Sequence, residues 1–210
     1  MVVHHEHEHS WEEQYRAHPE LWSGRPNTQL VAEASDAPAG AALDIGCGEG
    51  ADAIWLADRG WRVTAVDLAP TALERAAAHA DAAGPAVSGR IRWIQADVTR
   101  WVPDKEYDLV TTHYLHLEGE PRRALFARLA AAVAPGGTLV VVGHHPKDLE
   151  IGARRPAMPD MSFTAEEVAS SLDPAGWEIA VAEARPREAK PHEGEVTTVH
   201  DAVVVARRRS

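Results

Sequence analysis

The nine residues from Leu43 to Ala51 constrain the fold more than any other part of the chain. They read Leu-Asp-Ile-Gly-Cys-Gly-Glu-Gly-Ala, an apolar run that leads into three glycines within five residues. Glycine adopts backbone conformations that are closed to other residues, and it lets a ligand approach the main chain closely. A helical pattern follows at Ala51–Arg59. The segment therefore predicts a strand, a ligand-binding turn and a helix, the first unit of an α/β sheet.

The same alternation of strand and helix patterns continues along the chain. Apolar runs such as Leu139–Val142 indicate strands that are covered on both faces, as parallel strands between helix layers are. Strands at Trp177–Ala184 and Val196–Ala206 are too close in sequence for a helical crossover, so they should pair antiparallel at one edge. The prediction is a Rossmann-like, doubly wound α/β fold: a mostly parallel seven-stranded sheet with an antiparallel C-terminal hairpin. The other predicted strands and helices are Ala41–Ile45, Arg62–Asp67, Pro70–Ala83, Ile91–Ala96, Tyr107–Thr112, Pro121–Val133, Thr138–Val142 and a capped helix at Thr164–Leu172.

Two shorter helices are predicted before the first strand. Ser10 with Glu13 forms a capping pattern, and a second helix starts near Pro26 and runs to about Ala34. We therefore divide the chain into an N-terminal segment, residues 1–35, with a histidine-rich start and capping helices, and a main domain, residues 36–210. After the long helix, Pro135–Gly137 is predicted to stop the helix before the next strand.

Composition limits the class of protein. With 210 residues, 45% of them hydrophobic, the chain can bury the core of a single globular unit. A net charge of -11 disfavours nucleic acid as a partner and leaves a small-molecule substrate as the expectation. The start lacks the pattern of a signal peptide, and no apolar run is long enough for a membrane span, so we expect a cytoplasmic protein. The single cysteine excludes an internal disulfide. The oligomeric state is not predicted.

The charge of the glycine turn discriminates between ligands. Gly46-x-Gly48-x-x-Ala51 also satisfies the loose dinucleotide pattern, so NAD and FAD compete with S-adenosylmethionine (SAM). A pyrophosphate on this turn would face the carboxylates of Asp44 and Glu49. SAM carries a cationic amino group and a sulfonium, which carboxylates attract. The turn therefore favours SAM over a dinucleotide.

Acidic residues end the next two strands as well. Asp67 ends the second strand, where a carboxylate can accept hydrogen bonds from both ribose hydroxyls. Asp97 ends the third strand and is placed to accept the adenine amino group. Three acidic strand ends beside one glycine turn make a purely structural role for the turn the weaker alternative.

At these residues the sequence resembles the class I SAM-dependent methyltransferases. The resemblance covers roughly Leu43–Gly143 and includes the glycine turn, the two later acidic strand ends and Pro135–Gly137. Trp22–Asn27 and the Ala134–Gly137 block are similar to the tellurite-resistance and thiopurine-type small-molecule methyltransferases, whose N-terminal segment is expected to fold over the cofactor. The resemblance and the strand ends together imply that these residues bind SAM: Trp22, Arg25, Asp44, Gly46, Cys47, Gly48, Gly50, Asp67, Leu68, Asp97, Val98 and Thr112.

Histidines follow the fourth and fifth strands, where the acceptor of the methyl group should bind. Methyl transfer requires a base only when the acceptor carries a proton on its nucleophilic atom, and imidazole suits that task near neutral pH. We predict catalytic roles for His113 and His144, with Tyr114 as an aromatic wall of the pocket. His116 and His145 are better explained as residues that cap strand ends, and a structural role for the others stays open.

Two further segments leave alternatives open. Arg154 and Arg155, in a long loop of an acidic chain, fit an anionic acceptor or simple solvent exposure. The four histidines among His4–His9 can bind a transition metal, but a terminus that fixes no geometry argues against a metal site, and we predict none. The leading function is a SAM-dependent methyltransferase acting on a small molecule. The alternatives are a metal- or metalloid-binding protein on a SAM-binding fold and, third, an NAD-dependent oxidoreductase.

Overall fold

The computed structural model describes residues 11–19, 21–150, 161–189 and 197–210. One seven-stranded sheet organises them, in the order β3-β2-β1-β4-β5-β7-β6. The strands are β1 (Ala41–Ile45), β2 (Arg62–Asp67), β3 (Ile91–Gln95), β4 (Tyr107–His113), β5 (Val133–His144), β6 (Trp177–Ala189) and β7 (Thr197–Arg208). The helices are α1 (residues 11–17), α2 (Thr28–Ala34), α3 (Ala51–Asp58), α4 (Pro70–Ala83), α5 (Pro85–Ser88), α6 (Gly119–Ala131), α7 (Lys147–Glu150) and α8 (Ala165–Ala169).

The strand pairings confirm the predicted α/β class. Strands β1 to β5 pair in parallel, and β7 pairs antiparallel with both β5 and β6. Leu56 of α3 and Leu30 of α2 pack in one hydrophobic cluster, while Phe126 of α6 and Val168 of α8 pack in another. Helices therefore cover both faces of the sheet, which is the doubly wound arrangement.

Helix ends follow the chemistry of the sequence. Pro70 occupies the first turn of α4 and Gly84 ends it, so this helix has its predicted bounds. Thr164 and Glu167 form a capping box at the start of α8, as the sequence pattern predicts. The four-residue helices α5 and α7 were not predicted, because a single turn carries no periodic pattern.

Two strand predictions were wrong at their ends. Pro135–Gly137 is not a stop before a strand: β5 already begins at Val133, and the pairing register with β4 shifts across this block. Gly137 makes that bulge possible, since a Cβ there would lie 2.9 Å from the Ala134 carbonyl oxygen. Strand β6 continues five residues past Ala184, the predicted end, to Ala189.

The N-terminal helices pack onto the sheet domain. Leu30 and Ala34 of α2 are buried in the same cluster as Ala42 of β1, and Tyr15 of α1 is buried against Ala69 and Ala72. No helix among the described residues is long and apolar enough to cross a membrane. The carboxyl ends of the parallel strands lie at one edge of the sheet, so Asp44, Asp67 and His113 come to the same edge.

Candidate active site

The glycine turn is folded by hydrogen bonds within the chain. The amides of Gly46 and Cys47 donate to the Val66 carbonyl oxygen at 2.8 and 3.2 Å, and the Gly50 amide donates to the Cys47 carbonyl oxygen at 2.9 Å. The Gly48 amide donates to the Asp67 carboxylate at 2.8 Å. Four amides of the turn are thus already used, so they do not form a cradle for an anion.

Close packing makes glycine necessary in this turn. Gly48 has φ +52°, and a Cβ added there would lie 2.9 Å from the Tyr15 hydroxyl oxygen. Gly50 has φ +85°, and its Cβ would lie 2.7 Å from the Trp93 ring. The Cys47 thiol is buried, and burial, followed by the charges of Asp67 and Asp44, raises its pKa well above the ordinary value. The thiol is therefore not an activated nucleophile.

The carboxyl group of Asp44 is buried and has an unusually high pKa. The residue is 2% exposed, and among the described residues its Oδ2 atom has no hydrogen-bond partner. Burial raises its pKa well above the ordinary value, and the negative charges of Asp52 and Asp67 raise it further. A buried acid without a partner is costly as an anion, so the arrangement favours a cation close to this oxygen.

Asp67 joins the turn to the end of β2. Its two oxygens accept the amides of Gly48 and Ala69 at 2.8 and 2.9 Å. Burial raises its pKa, whereas the backbone hydrogen bonds lower it. Glu49, in contrast, is paired with Arg75 at 2.9 Å. Glu49 therefore adds little to the charge argument made from the sequence, which now depends on the carboxyl groups of Asp44 and Asp67.

The other predicted cofactor residues line the neighbouring strand ends. Asp97 Oδ1 accepts both the amide and the hydroxyl of Thr99, at 2.8 and 2.6 Å. Val98 is 8% exposed, and its carbonyl oxygen accepts a hydrogen bond from Arg128 at 2.8 Å. Leu68 is partly buried between Asp67 and α4. Thr112 is buried, and its hydroxyl donates to the Ile45 carbonyl oxygen, which ties β4 to β1.

The N-terminal segment covers the glycine turn. The Trp22 amide donates to Glu49 at 3.3 Å, and the Trp22 indole donates to the Tyr15 hydroxyl at 2.9 Å. Arg75 of α4 donates to the Tyr15 carbonyl oxygen at 2.6 Å. The Arg25 side chain is exposed, and the Arg25 amide donates a hydrogen bond to the Ser23 hydroxyl oxygen. Tyr15 and Trp22 are thus the residues of this segment that contact the turn.

The two ring nitrogens of His113 both have protein partners. Nδ1 lies 2.7 Å from Asp52 Oδ2, and Nε2 lies 2.7 Å from the Thr111 hydroxyl. The side chain is 6% exposed. Ligand atoms of Asp44, Asp52 and His113 lie within 4.8 Å of one another, so two carboxyl groups and one imidazole meet at this point. His113 is therefore bound into the site rather than directed at an acceptor.

A continuous run of rings follows the carboxyl ends of β4 and β5. Tyr114 stacks on His144 with ring centroids 4.8 Å apart, His144 lies 5.7 Å from His116, and His116 lies 5.1 Å from Trp11. Burial lowers the pKa of His116. Burial, with the charge of Asp201, raises the pKa of Tyr114, so its phenol stays protonated. These contacts join the predicted His144 and Tyr114 to His116 in one aromatic wall.

Two predictions concern residues outside the described ranges. One is the absence of a metal site at His4–His9, and the other is the role of Arg154 and Arg155 in binding an anionic acceptor. Sequence reasoning missed another arginine, Arg187, because it ended β6 at Ala184 and left Arg187 in a loop. In the structure Arg187 reaches the Tyr114 hydroxyl at 3.2 Å and the Asp201 carboxylate at 2.8 Å.

The fold and the site define a Rossmann-like α/β domain with a cation-favouring ligand turn at the carboxyl edge of the sheet. Residues 42–137 match the model of a family described as a methyltransferase domain. A trans-aconitate 2-methyltransferase of Streptomyces coelicolor is 39% identical over 124 residues, 56% of this chain and 39% of that protein. The chain spans about half or less of the length of the curated relatives it matches.

Two solved structures resemble this chain in fold over most of its length. One concerns the conversion of a disulfide bond into a thioacetal group during echinomycin biosynthesis; it is 27% identical, with a TM-score of 0.74 over 95% of this chain and 91% of that one. TehB from Haemophilus influenzae has a TM-score of 0.68 at 18% identity, over 86% of this chain and 61% of that one, which shows a shared fold. The matched domain and the shared fold confirm the resemblance to the class I SAM-dependent methyltransferases.

Proposed function

We propose that this protein transfers a methyl group from SAM to a small-molecule acceptor bound at the carboxyl edge of the sheet. When bound, SAM supplies a methyl group activated by the sulfonium. The observation that carries the proposal is the buried Asp44 carboxylate, whose Oδ2 atom has no partner among the described residues. It lies beside a turn whose amides are already used, so a cationic ligand fits there better than a pyrophosphate.

Each part of the cofactor has a candidate binding residue. Asp44 would hold the amino group, and Asp67 the ribose hydroxyls. Asp97 and Val98 lie on the adenine side, and Leu68 adds apolar contact. Gly46, Cys47, Gly48 and Gly50 offer a backbone surface without bulky side chains, Thr112 supports that turn, and Trp22 and Arg25 close the site from the N-terminal segment.

The acceptor would lie against the aromatic wall. We assign the proton-accepting role to His116, because burial lowers the pKa of its ring and so favours the neutral form, and His144 packs beside it. His113 then acts as a positioning residue, since Asp52 and Thr111 occupy its nitrogens. Tyr114 contributes a face and an edge rather than a base, because its phenol stays protonated.

Relatives support the small-molecule acceptor. The Streptomyces coelicolor protein is named for methylation of trans-aconitate, a small molecule. An acceptor of that size needs no extended binding surface, so it can be enclosed by the N-terminal segment, the aromatic wall and the β6–β7 hairpin. A tellurite- or thiopurine-type acceptor rests on the resemblance of Trp22–Asn27 and Ala134–Gly137 alone.

Calorimetry with SAM, S-adenosylhomocysteine and NAD tests the proposal. We expect both adenosyl compounds to bind and NAD to give no heat. A screen of oxygen, nitrogen, sulfur and metalloid nucleophiles, read out as S-adenosylhomocysteine formed, then identifies the acceptor. Binding of NAD without binding of SAM would reverse the assignment. Deletion of residues 4–9 distinguishes a methyltransferase from a metal-binding protein. If the protein is a methyltransferase, the deletion variant should still transfer the methyl group, even if it no longer binds metal.

A further inference from the structure

The C-terminal hairpin rises above the carboxyl edge of the sheet. Strand β5 ends at His144, which pairs with Asp201 of β7. The pairing of β6 with β7 continues past this point through Arg187↔Val199 to Ala189↔Thr197. Residues 186–189 therefore form a short wall beside the acceptor side of the site, and Arg187 is the cationic side chain on it.

Asp201 fixes the orientation of the Arg187 guanidinium. Nε of Arg187 lies 3.0 and 2.8 Å from the two Asp201 oxygens, and Asp201 is fully buried. The same Nε lies 3.2 Å from the Tyr114 hydroxyl, and the guanidinium carbon lies 5.5 Å from the centre of the Tyr114 ring. Three contacts to one nitrogen leave the guanidinium little freedom to rotate.

The outer edge of this guanidinium carries spare donors. Within the described parts of the chain, all recorded hydrogen bonds of Arg187 use Nε, and its side chain is 31% exposed. The two terminal nitrogens together carry four N–H groups in a plane that matches the two oxygens of a carboxylate. Because the Asp201 charge faces Nε, it holds the group in place and leaves the terminal edge for a ligand.

The aromatic wall leads directly to that edge. Tyr114 contacts both Arg187 and His144, and His116 lies next to His144. A flat acceptor lying on these rings would meet the guanidinium at one end and the two imidazoles at the other.

We infer that Arg187, held by Asp201, is the anchor for a carboxylate group of the methyl acceptor. The substrate class is a small, flat carboxylic acid that packs on Tyr114 and His144. This inference rests on the proposed function, because it names the acceptor for the same site. Arg187 binds and orients the acceptor and takes no part in bond making.

A matched pair of probes tests the charge directly: 4-hydroxybenzoate against 4-hydroxybenzamide, measured by calorimetry with S-adenosylhomocysteine present. They share the ring and the hydroxyl and differ in the carboxylate. We expect the wild type to bind the benzoate at least about tenfold more tightly than the benzamide. Arg187→Met should abolish this preference. Arg187→Met alone leaves the buried Asp201 carboxylate without its cationic partner. The double variant Arg187→Met/Asp201→Asn removes that unpaired charge and should likewise show no preference for the benzoate.

Arg185→Met is the matched control. Arg185 lies two residues earlier on β6, and its guanidinium pairs with Glu33 at 2.7 Å instead of facing the acceptor. We expect this variant to keep the benzoate preference. Equal binding of the two probes by the wild type, or a preference that persists in both Arg187 variants, would overturn the inference. Affinity for S-adenosylhomocysteine is measured on every variant, so a failure of the cofactor proposal appears separately from a failure of the anchor.

Discussion

Replacing Asp44 by Asn should change stability and cofactor binding in opposite directions. The wild-type carboxyl group is buried beside Asp52 and Asp67, which raises its pKa above the ordinary value of 3.8. An acid whose pKa is higher in the folded state than in the unfolded state makes stability fall as pH rises through that window. Asn carries no charge to bury, so the ligand-free variant should be more stable than the wild type above the folded-state pKa of Asp44. The difference should vanish as pH approaches 3.8.

Cofactor binding should weaken in the same variant. Two opposite unit charges 4 Å apart interact by about 4 kcal/mol at an effective dielectric constant near 20. Part of that is offset, because binding must also hold the Asp44 carboxylate ionised in a buried position next to two other acids. We expect a loss of about 1.5–3 kcal/mol, or roughly a 10- to 150-fold higher Kd for SAM.

Denaturant unfolding and calorimetry on one preparation measure both effects. Asp58→Asn is the control, since Asp58 lies on α3 with its side chain 69% exposed and should change neither quantity appreciably. Binding of the cation should also shift the Asp44 pKa downward and release protons below its ligand-free pKa, which titration in buffers of different ionisation enthalpy detects. Unchanged SAM affinity in Asp44→Asn would refute the charge argument, whatever the stability result.

Three further substitutions test other parts of the site. Asp67→Ala should weaken SAM binding by about 1.5–3 kcal/mol, because it removes an acceptor for ribose and frees the Gly48 amide; an unchanged Kd would remove Asp67 from the site. Gly48→Ala should destabilise the fold by about 1 kcal/mol and displace Tyr15, seen in thermal unfolding, and a neutral result would contradict the positive φ. His116→Gln should lower turnover on a hydroxyl acceptor by about 10²-fold with SAM affinity kept. In the wild type, turnover should fall at a pH below the ordinary imidazole value of 6.5, because burial lowers the pKa of His116, and a flat profile would exclude a base.

The sequence predicted most of the sheet because its strands are apolar runs punctuated by glycine and proline. It failed where tertiary position overrides local preference. Pro186 looks like a loop residue, but β6 is the edge strand of the sheet, where a missing amide donor is tolerated. The five residues that sequence reasoning left out of β6 include Arg187, so the strand-end error and the missed acceptor residue have one cause.

The position of the candidate cofactor residues at the strand ends was predictable from the sequence, whereas the contacts among the candidate acceptor residues were predictable only in part. Asp44 lies near the carboxyl end of β1 and Asp67 is the last residue of β2, so their convergence is a property of any parallel sheet. The role of His113 depends on Asp52, a residue 61 positions away whose side chain carries no motif. The contact between Trp11 and His116 likewise joins the N-terminal helix to the end of β4, which no local pattern encodes.

Tyr114 adopts φ +50°, a left-handed backbone conformation, as it turns from β4 into the aromatic wall. That geometry restricts any attempt to redesign acceptor choice by substitution at this position. Valine, isoleucine and threonine would add branched-chain strain there, whereas asparagine, aspartate and glycine fit the backbone but lose the ring. A variant library aimed at new acceptors should therefore hold position 114 fixed and diversify His116, His144 and Arg187 around it.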